Sequence, residues 1–124
     1  MQADPEAAAL MAKMLRKRLF VAIRSPLALS RAGALLARHL RWAIDAEARG
    51  EIFLSGPFVG GGSPGERGGM TVLRAESEQA ARAIMDNDPF VAESVYTYEL
   101  REWMLMEGSV SLNFTFSNGA IKVF

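Results

Sequence analysis

Apolar and polar positions change period along this chain, and each change marks an element. From 17 to 24, Leu19, Val21 and Ile23 alternate with Phe20 and Ala22, the two-residue repeat of a strand, which Ser25-Pro26 ends. Between 31 and 50, Leu36, Leu40, Ala43, Ile44 and Glu47 recur at helical spacing, and Gly50 stands where a helix stops. Ile52 to Val59 predicts a second strand that Gly56-Pro57 kinks or ends. Most of the glycine falls in 60–69, ahead of a short third strand from Met70 to Ala75. Ser77 predicts the cap of a second helix, with Glu78 at its positive end and Ala80, Ala81, Ile84 and Met85 as its packing side. Pro89 cannot continue that helix and biases Asp88 towards an extended backbone. Val95 to Leu105 predicts a long fourth strand.

Two further segments flank this pattern. Pro5 to Lys17 is rich in Ala, Leu and Met behind a capping Asp4, so 1–16 reads as a helical extension. After Gly108, the residues Val110, Leu112, Phe114 and Phe116 alternate with Ser109, Ser111, Asn113 and Thr115, predicting a strand with one apolar face. Asn118-Gly119 is a tight-turn pair, and Ile121 to Phe124 is the expected returning strand. The main domain is therefore expected over 17–124, with its hairpin starting at about 104. The central order, β-α-β-β-α-β, is the ferredoxin-like α+β motif, an antiparallel sheet with both helices on one face. Its other face is too apolar to leave in water, which predicts a homodimer.

Composition narrows the partners. The 124 residues fit one domain, and 14 basic side chains balance 14 acidic ones. A net charge of zero lacks the basic excess that a phosphate backbone requires, so no nucleic acid is expected. There is no cysteine, which excludes disulfides, thiolate metal sites and cysteine nucleophiles, and suits a reducing cytoplasm. Met14 to Ile23 imitates the start of a signal peptide, but Arg24 and Arg31 interrupt the apolar region and Asp4 and Glu6 precede it. With no apolar run near the roughly 18 residues of a spanning helix, the expectation is a cytoplasmic protein without a membrane segment.

His39, the single histidine, is the one side chain whose unperturbed titration lies near neutral pH. It stands one helical turn from both Leu35 and Ala43, at the edge of the packing stripe. It reads either as a histidine hydrogen-bonded at the helix–sheet border or as one facing a cleft. Asp88, in Asn87-Asp88-Pro89-Phe90, reads either as a turn aspartate bonding nearby amides or as a carboxylate that orients His39 and raises its basicity. The glycines from Gly60 to Gly65 lack the Lys-Ser/Thr of a phosphate loop and precede a strand, so a mobile hairpin loop lidding a pocket is the better reading. One histidine with scattered carboxylates makes no metal cluster. Leu54-Ser55-Gly56-Pro57 is not a nucleophile elbow. No metal and no cofactor are expected.

Five stretches together resemble the YCII-related (YciI-like) family. They are Arg38-His39-Leu40, Gly50 to Pro57 (GEIFLSGP), Glu76 to Ala80 (ESEQA), Asp86 to Val91 (DNDPFV) and Val95 to Trp103 (VYTYELREW). The resemblance implies a dimeric α+β barrel and a site on the helix histidine and the pre-proline aspartate, which fall on His39 and Asp88. It places Ser55, with Gly56 and Pro57 beside it, in the same pocket. Relatives in fold and site include a dehydrochlorinase and muconolactone-type isomerases, which implies proton abstraction from a small oxygenated ring compound. The helix before Lys17 and the hairpin after Trp103 depart from the family pattern.

The leading expectation is a homodimer with a pocket in each protomer, where His39 acts as general base, Asp88 orients it, and Ser55 and Tyr96 bond a small-molecule substrate. The rival expectation is a non-catalytic dimeric module that binds a small ligand or serves structurally. A cofactor-free monooxygenase is a third and weaker use of the same fold.

Overall fold

The computed structural model describes residues 4–123. In chain order the elements are α1 (Pro5–Ala12), β1 (Lys17–Pro26), a 3-10 turn (Leu29–Arg31), α2 (Ala32–Ala48), β2 (Ile52–Pro57), β3 (Gly69–Leu73), α3 (Glu78–Asp86), α4 (Pro89–Ala92), β4 (Tyr96–Leu105), β5 (Leu112–Phe114) and β6 (Ile121–Val123). They divide into two compact units, Arg18–Met104 and the two flanking segments.

The larger unit holds a four-stranded sheet in the order β2-β3-β1-β4. β3 runs antiparallel to both of its neighbours, with Ala22 and Ser55 on either side of Thr71 and Arg24 opposite Gly69. That is the ferredoxin-like arrangement expected from the element order. Strand alternation then decides which side chains face the helices. Phe20 and Ala22 of β1, Ile52 of β2 and Leu73 of β3 pack with Ala46 of α2 and with Ala81, Ile84 and Met85 of α3. Both helices contribute to one cluster, so both cover the same face. Burying a side chain the size of Leu73 or Met85 contributes roughly 1.5–3 kcal/mol. On the opposite face Val21, Val72 and Leu54 form a row across three strands, with Ile23 and Met70 beside it. Leu54 and Met70 there are exposed.

Three local expectations need correction. Of the α2 repeat Leu36, Leu40, Ala43 and Ile44, only Ala43 packs on the core; the other three are exposed. The helix meets the core through Trp42, Ala43 and Ala46, and Leu35 packs on a second cluster of Phe90, Val95 and Tyr96. At 100° per residue, Leu35, His39, Trp42 and Ala46 lie within one narrow arc, so His39 belongs to the inward side and not to the edge of the other stripe. Secondly, Pro89 does end α3, but it also opens α4, because proline suits the first turn of a helix. Thirdly, the sequence 110–116 does not form a half-buried strand.

That last segment belongs to the smaller unit. β5 and β6 pair over only three residues each, with Leu112 opposite Val123 and Phe114 opposite Ile121. Gly119 N–H donates to the Thr115 carbonyl at 2.8 Å and Ala120 N–H to Asn118 Oδ1 at 2.9 Å, closing the turn at the expected place. Val110, Leu112, Phe114 and Phe116 are all exposed, Phe116 completely. Alternation assigned these residues to one side of a strand; it did not supply anything to cover that side. Phe124, the end of the expected last strand, lies outside the described residues. α1 begins as expected, with Asp4 Oδ1 accepting from Ala7 N–H at 2.8 Å, but it stops at Ala12 and not at Lys17, and buries none of its residues. Among the described residues, no helix is long and apolar enough to cross a membrane.

Candidate functional site

The backbone around Pro89 places the first functional group. Asp88 is extended (φ −65°, ψ 123°), as a residue before proline should be, and it caps α4 by accepting from Phe90 N–H at 3.0 Å. The same oxygen, Oδ1, accepts from His39 Nδ1 at 2.8 Å. One oxygen therefore serves both the turn amide and the imidazole. Its side chain is 0% exposed and that of His39 is 15% exposed. The imidazole stacks on Phe90, with 4.2 Å between ring centres and 14° between planes, and Trp42 stands 5.9 Å away.

This geometry sets the tautomer. A carboxylate only accepts, so neutral His39 carries its proton on Nδ1 and leaves the Nε2 lone pair free to take another. Sandwiching by Phe90 and the bond to a buried carboxylate hold the ring in one orientation. Asp88 Oδ2 is buried without a hydrogen-bond partner among the described residues. An isolated carboxylate in that position would be costly, and the charge that offsets it comes from the adjoining strand.

That charge is Arg24, which the sequence reading did not select. It is 7% exposed, on the helix-facing side of β1, and it donates to Thr71 Oγ1 and, at 3.2 Å, to the Gly56 carbonyl. Burial pushes the Arg24 pKa down, while the Asp88 charge and then Tyr96 pull it back up. Thr71 Oγ1 also lies 2.9 Å from Ser55 Oγ, so Arg24, Thr71 and Ser55 form a polar row across three strands. A signal for Arg24 was present: alternation from Phe20 and Ala22 puts residue 24 on their face. Its neighbours Ser25 and Pro26 made it read as the end of a strand.

His39, Ser55, Gly56, Pro57, Tyr96 and Arg24 all border one cavity of about 670 Å³, and Asp88 stands behind His39. Leu36, Leu40 and Ile44 supply an apolar wall, which explains why that stripe exists. Pro64, Gly65 and Gly68 of the glycine loop close part of the rim. Tyr96 holds this loop by donating its hydroxyl proton to the Gly65 carbonyl, so it lines the cavity with its proton already committed. Burial, with Asp88 adding to it and Arg24 opposing, raises the Tyr96 pKa and keeps the phenol protonated. Gly65 adopts φ +89° against that hydroxyl, a conformation that favours glycine. Among the described residues, no three His, Asp or Glu side chains gather as a metal site would require.

A four-stranded antiparallel sheet with both long helices packed on one face makes this a ferredoxin-like α+β protein. The YCII-related domain family matches residues 17–104, most of the chain, and the chain belongs to that family. A solved structure, 5-chloro-2-hydroxyhydroquinone dehydrochlorinase from Burkholderia phenoliruptrix in complex with 2,5-dihydroxybenzoquinone, shares the fold at a TM-score of 0.58 and 24% identity. The similarity covers 68% of this chain and 92% of that one. No curated protein matches the chain.

Proposed function

We propose that this protein is a small-molecule enzyme that abstracts a proton from an oxygenated ring compound, with His39 as general base and Asp88 as the group that orients it. One observation carries the reading: a buried carboxylate bonds Nδ1 of the single histidine at 2.8 Å, and that histidine borders a cavity large enough for a small ring. His39 Nε2 takes the proton from a carbon next to a carbonyl, and the C–H electron pair moves onto the carbonyl oxygen. Returning the proton to another carbon completes an isomerisation, whereas expulsion of a leaving group with its electron pair completes an elimination. Asp88 stabilises the imidazolium formed in between. Ser55 is a ligand-bonding group, and the Gly56-Pro57 backbone and Tyr96 shape the wall. The dehydrochlorinase that shares this fold is named for an elimination from a chlorinated hydroquinone, which suits the same chemistry.

The apolar row of Val21, Val72 and Leu54 favours assembly of two copies through the sheet's open face. A cytoplasmic site of action, consistent with the lack of cysteine, completes the reading. The 17–124 domain boundary, with 1–16 as an appendage, belongs to it too.

A second reading rests on Asp88 itself: its bonds from Phe90 N–H and His39 are also what a structural cap would make. In that case the cavity binds a ligand without turning it over. The test screens hydroxylated aromatic compounds and lactones for protection against heat unfolding, then assays the binders for turnover. His39→Gln should abolish turnover with the fold intact. Full activity in that variant would end the catalytic reading, and binding with no turnover in the unaltered protein would favour the module.

A further inference from the structure

Of the eleven arginines in this chain, five sit in surface ion pairs and one is buried. Arg18, Arg31, Arg49, Arg82 and Arg101 are surface residues, each paired with a glutamate within 3.0 Å. Arg24 is the buried one; among the described residues it makes no salt bridge, and the Asp88 charge acts on it at longer range. Of its five N–H donors, one goes to Thr71 and one to the Gly56 carbonyl, leaving three without an acceptor among the described residues. Arg24 borders the cavity, where a ligand can take them.

Its surroundings are shaped for that charge. A Cβ on Gly69 would lie 2.2 Å from Arg24 Nη2 and 2.6 Å from the Gly56 carbonyl oxygen, so only glycine leaves room for the guanidinium there. Proton counting extends the donor set. Thr71 Oγ1 accepts from Arg24 and lies 2.9 Å from Ser55 Oγ, a pair in which either hydroxyl can donate. When the fully buried Thr71 sends its proton to Ser55, Ser55 keeps its own for the cavity. Arg24 and Ser55 thus present donors from one wall, the free His39 nitrogen belongs to another, and Leu36 and Leu40 offer apolar contact alongside.

We propose that the cavity takes a planar ring compound bearing an anionic oxygen, a carboxylate or an ionised ring hydroxyl, which docks on Arg24 and Ser55. The inference deepens the proposed function by naming its substrate class, and rests on that reading only for the cavity. It also gives the wall a role in turnover, since charge forming on a substrate oxygen meets donors already in place.

The test uses the full chain and three probes of similar shape: benzoate, 4-nitrophenol at a pH where it is ionised, and uncharged benzamide, each titrated by NMR. At least one anion should bind about tenfold or more tightly than benzamide, the scale of hydrogen bonds to a charged group. Arg24→Met should erase that preference by weakening the anion far more than benzamide, Arg24→Lys should keep part of it, and Ser55→Ala should weaken the anion several-fold. Which anion wins separates a carboxylate from a phenolate ligand. Equal affinity for the anions and benzamide, no binding of either anion, or a preference that survives Arg24→Met would overturn the proposal. If Arg24→Met does not fold, the wild-type anion-to-amide ratio and its change in Ser55→Ala decide. His39→Gln should leave the anion preference in place, so loss of catalysis and loss of the anion site are separate failures.

Discussion

α2 and α3 cover the same face of one sheet and use it differently. α3 has nine residues and buries three of them, Ala81, Ile84 and Met85, in the core. α2 has seventeen and buries only Ala46, while Leu36, Leu40 and Ile44 stay exposed along the cavity. A helix serving only to seal a core would not leave three large apolar side chains in water on one stripe. α3 is therefore the structural half of the layer. α2 is split between a core stripe that carries His39 and a second stripe that walls the cavity.

Substitutions can break that contrast, and the largest effect belongs to α3. Met85→Ala should cost about 2–5 kcal/mol in denaturant unfolding, because Met85 is 0% exposed and its removal leaves a void. Asp88→Ala comes next, at roughly 1–3 kcal/mol, since Phe90 N–H and His39 Nδ1 both lose their acceptor. Asp88→Asn should recover much of that stability while lowering turnover, which separates the cap from the catalytic role. Tyr96→Phe should cost about 0.5–1.5 kcal/mol and speed hydrogen exchange in the loop 60–68, because the bond to Gly65 is gone. The pH sign follows from the same group. With its folded pKa raised, Tyr96 contributes stability that is present below its ordinary pKa and is lost as pH rises through the raised one. The Phe variant should lack that alkaline loss. The smallest stability effect is expected for Leu40→Ala, about 1 kcal/mol or less, together with weaker binding of ring compounds. If Leu40→Ala destabilises as much as Met85→Ala, the division of labour between the helices is wrong.

Much of this was readable from residue order. Two-residue alternation and helical spacing located the sheet strands and both long helices, and the Ser-Gly-Pro and Asp-Pro-Phe stretches pointed to Ser55 and Asp88. What the sequence could not rank was which of two apolar stripes on α2 faces the core. The repeat that joined Leu36, Leu40, Ala43 and Ile44 runs across both stripes, and of these only Ala43 meets the core, beside Trp42 and Ala46. Arg24 was hidden because a charge in a strand reads as its end, and only the partners Thr71 and Gly56, distant in sequence, make it an interior group. The four-residue helix at Pro89 and the exposure of Leu112 and Phe114 on β5 are likewise not reported by any local pattern.

The central claim is that Asp88 fixes His39 with its proton on Nδ1 and its Nε2 free towards the cavity. With a single histidine in the chain, 15N-histidine NMR reads that one ring without overlap. In the neutral form Nδ1 should be the protonated nitrogen and Nε2 the bare one, with Asp88→Ala, which removes the acceptor, redistributing the proton and a cavity ligand shifting Nε2 alone. A proton resting on Nε2 in the unaltered protein, with no response to Asp88→Ala, would contradict the account.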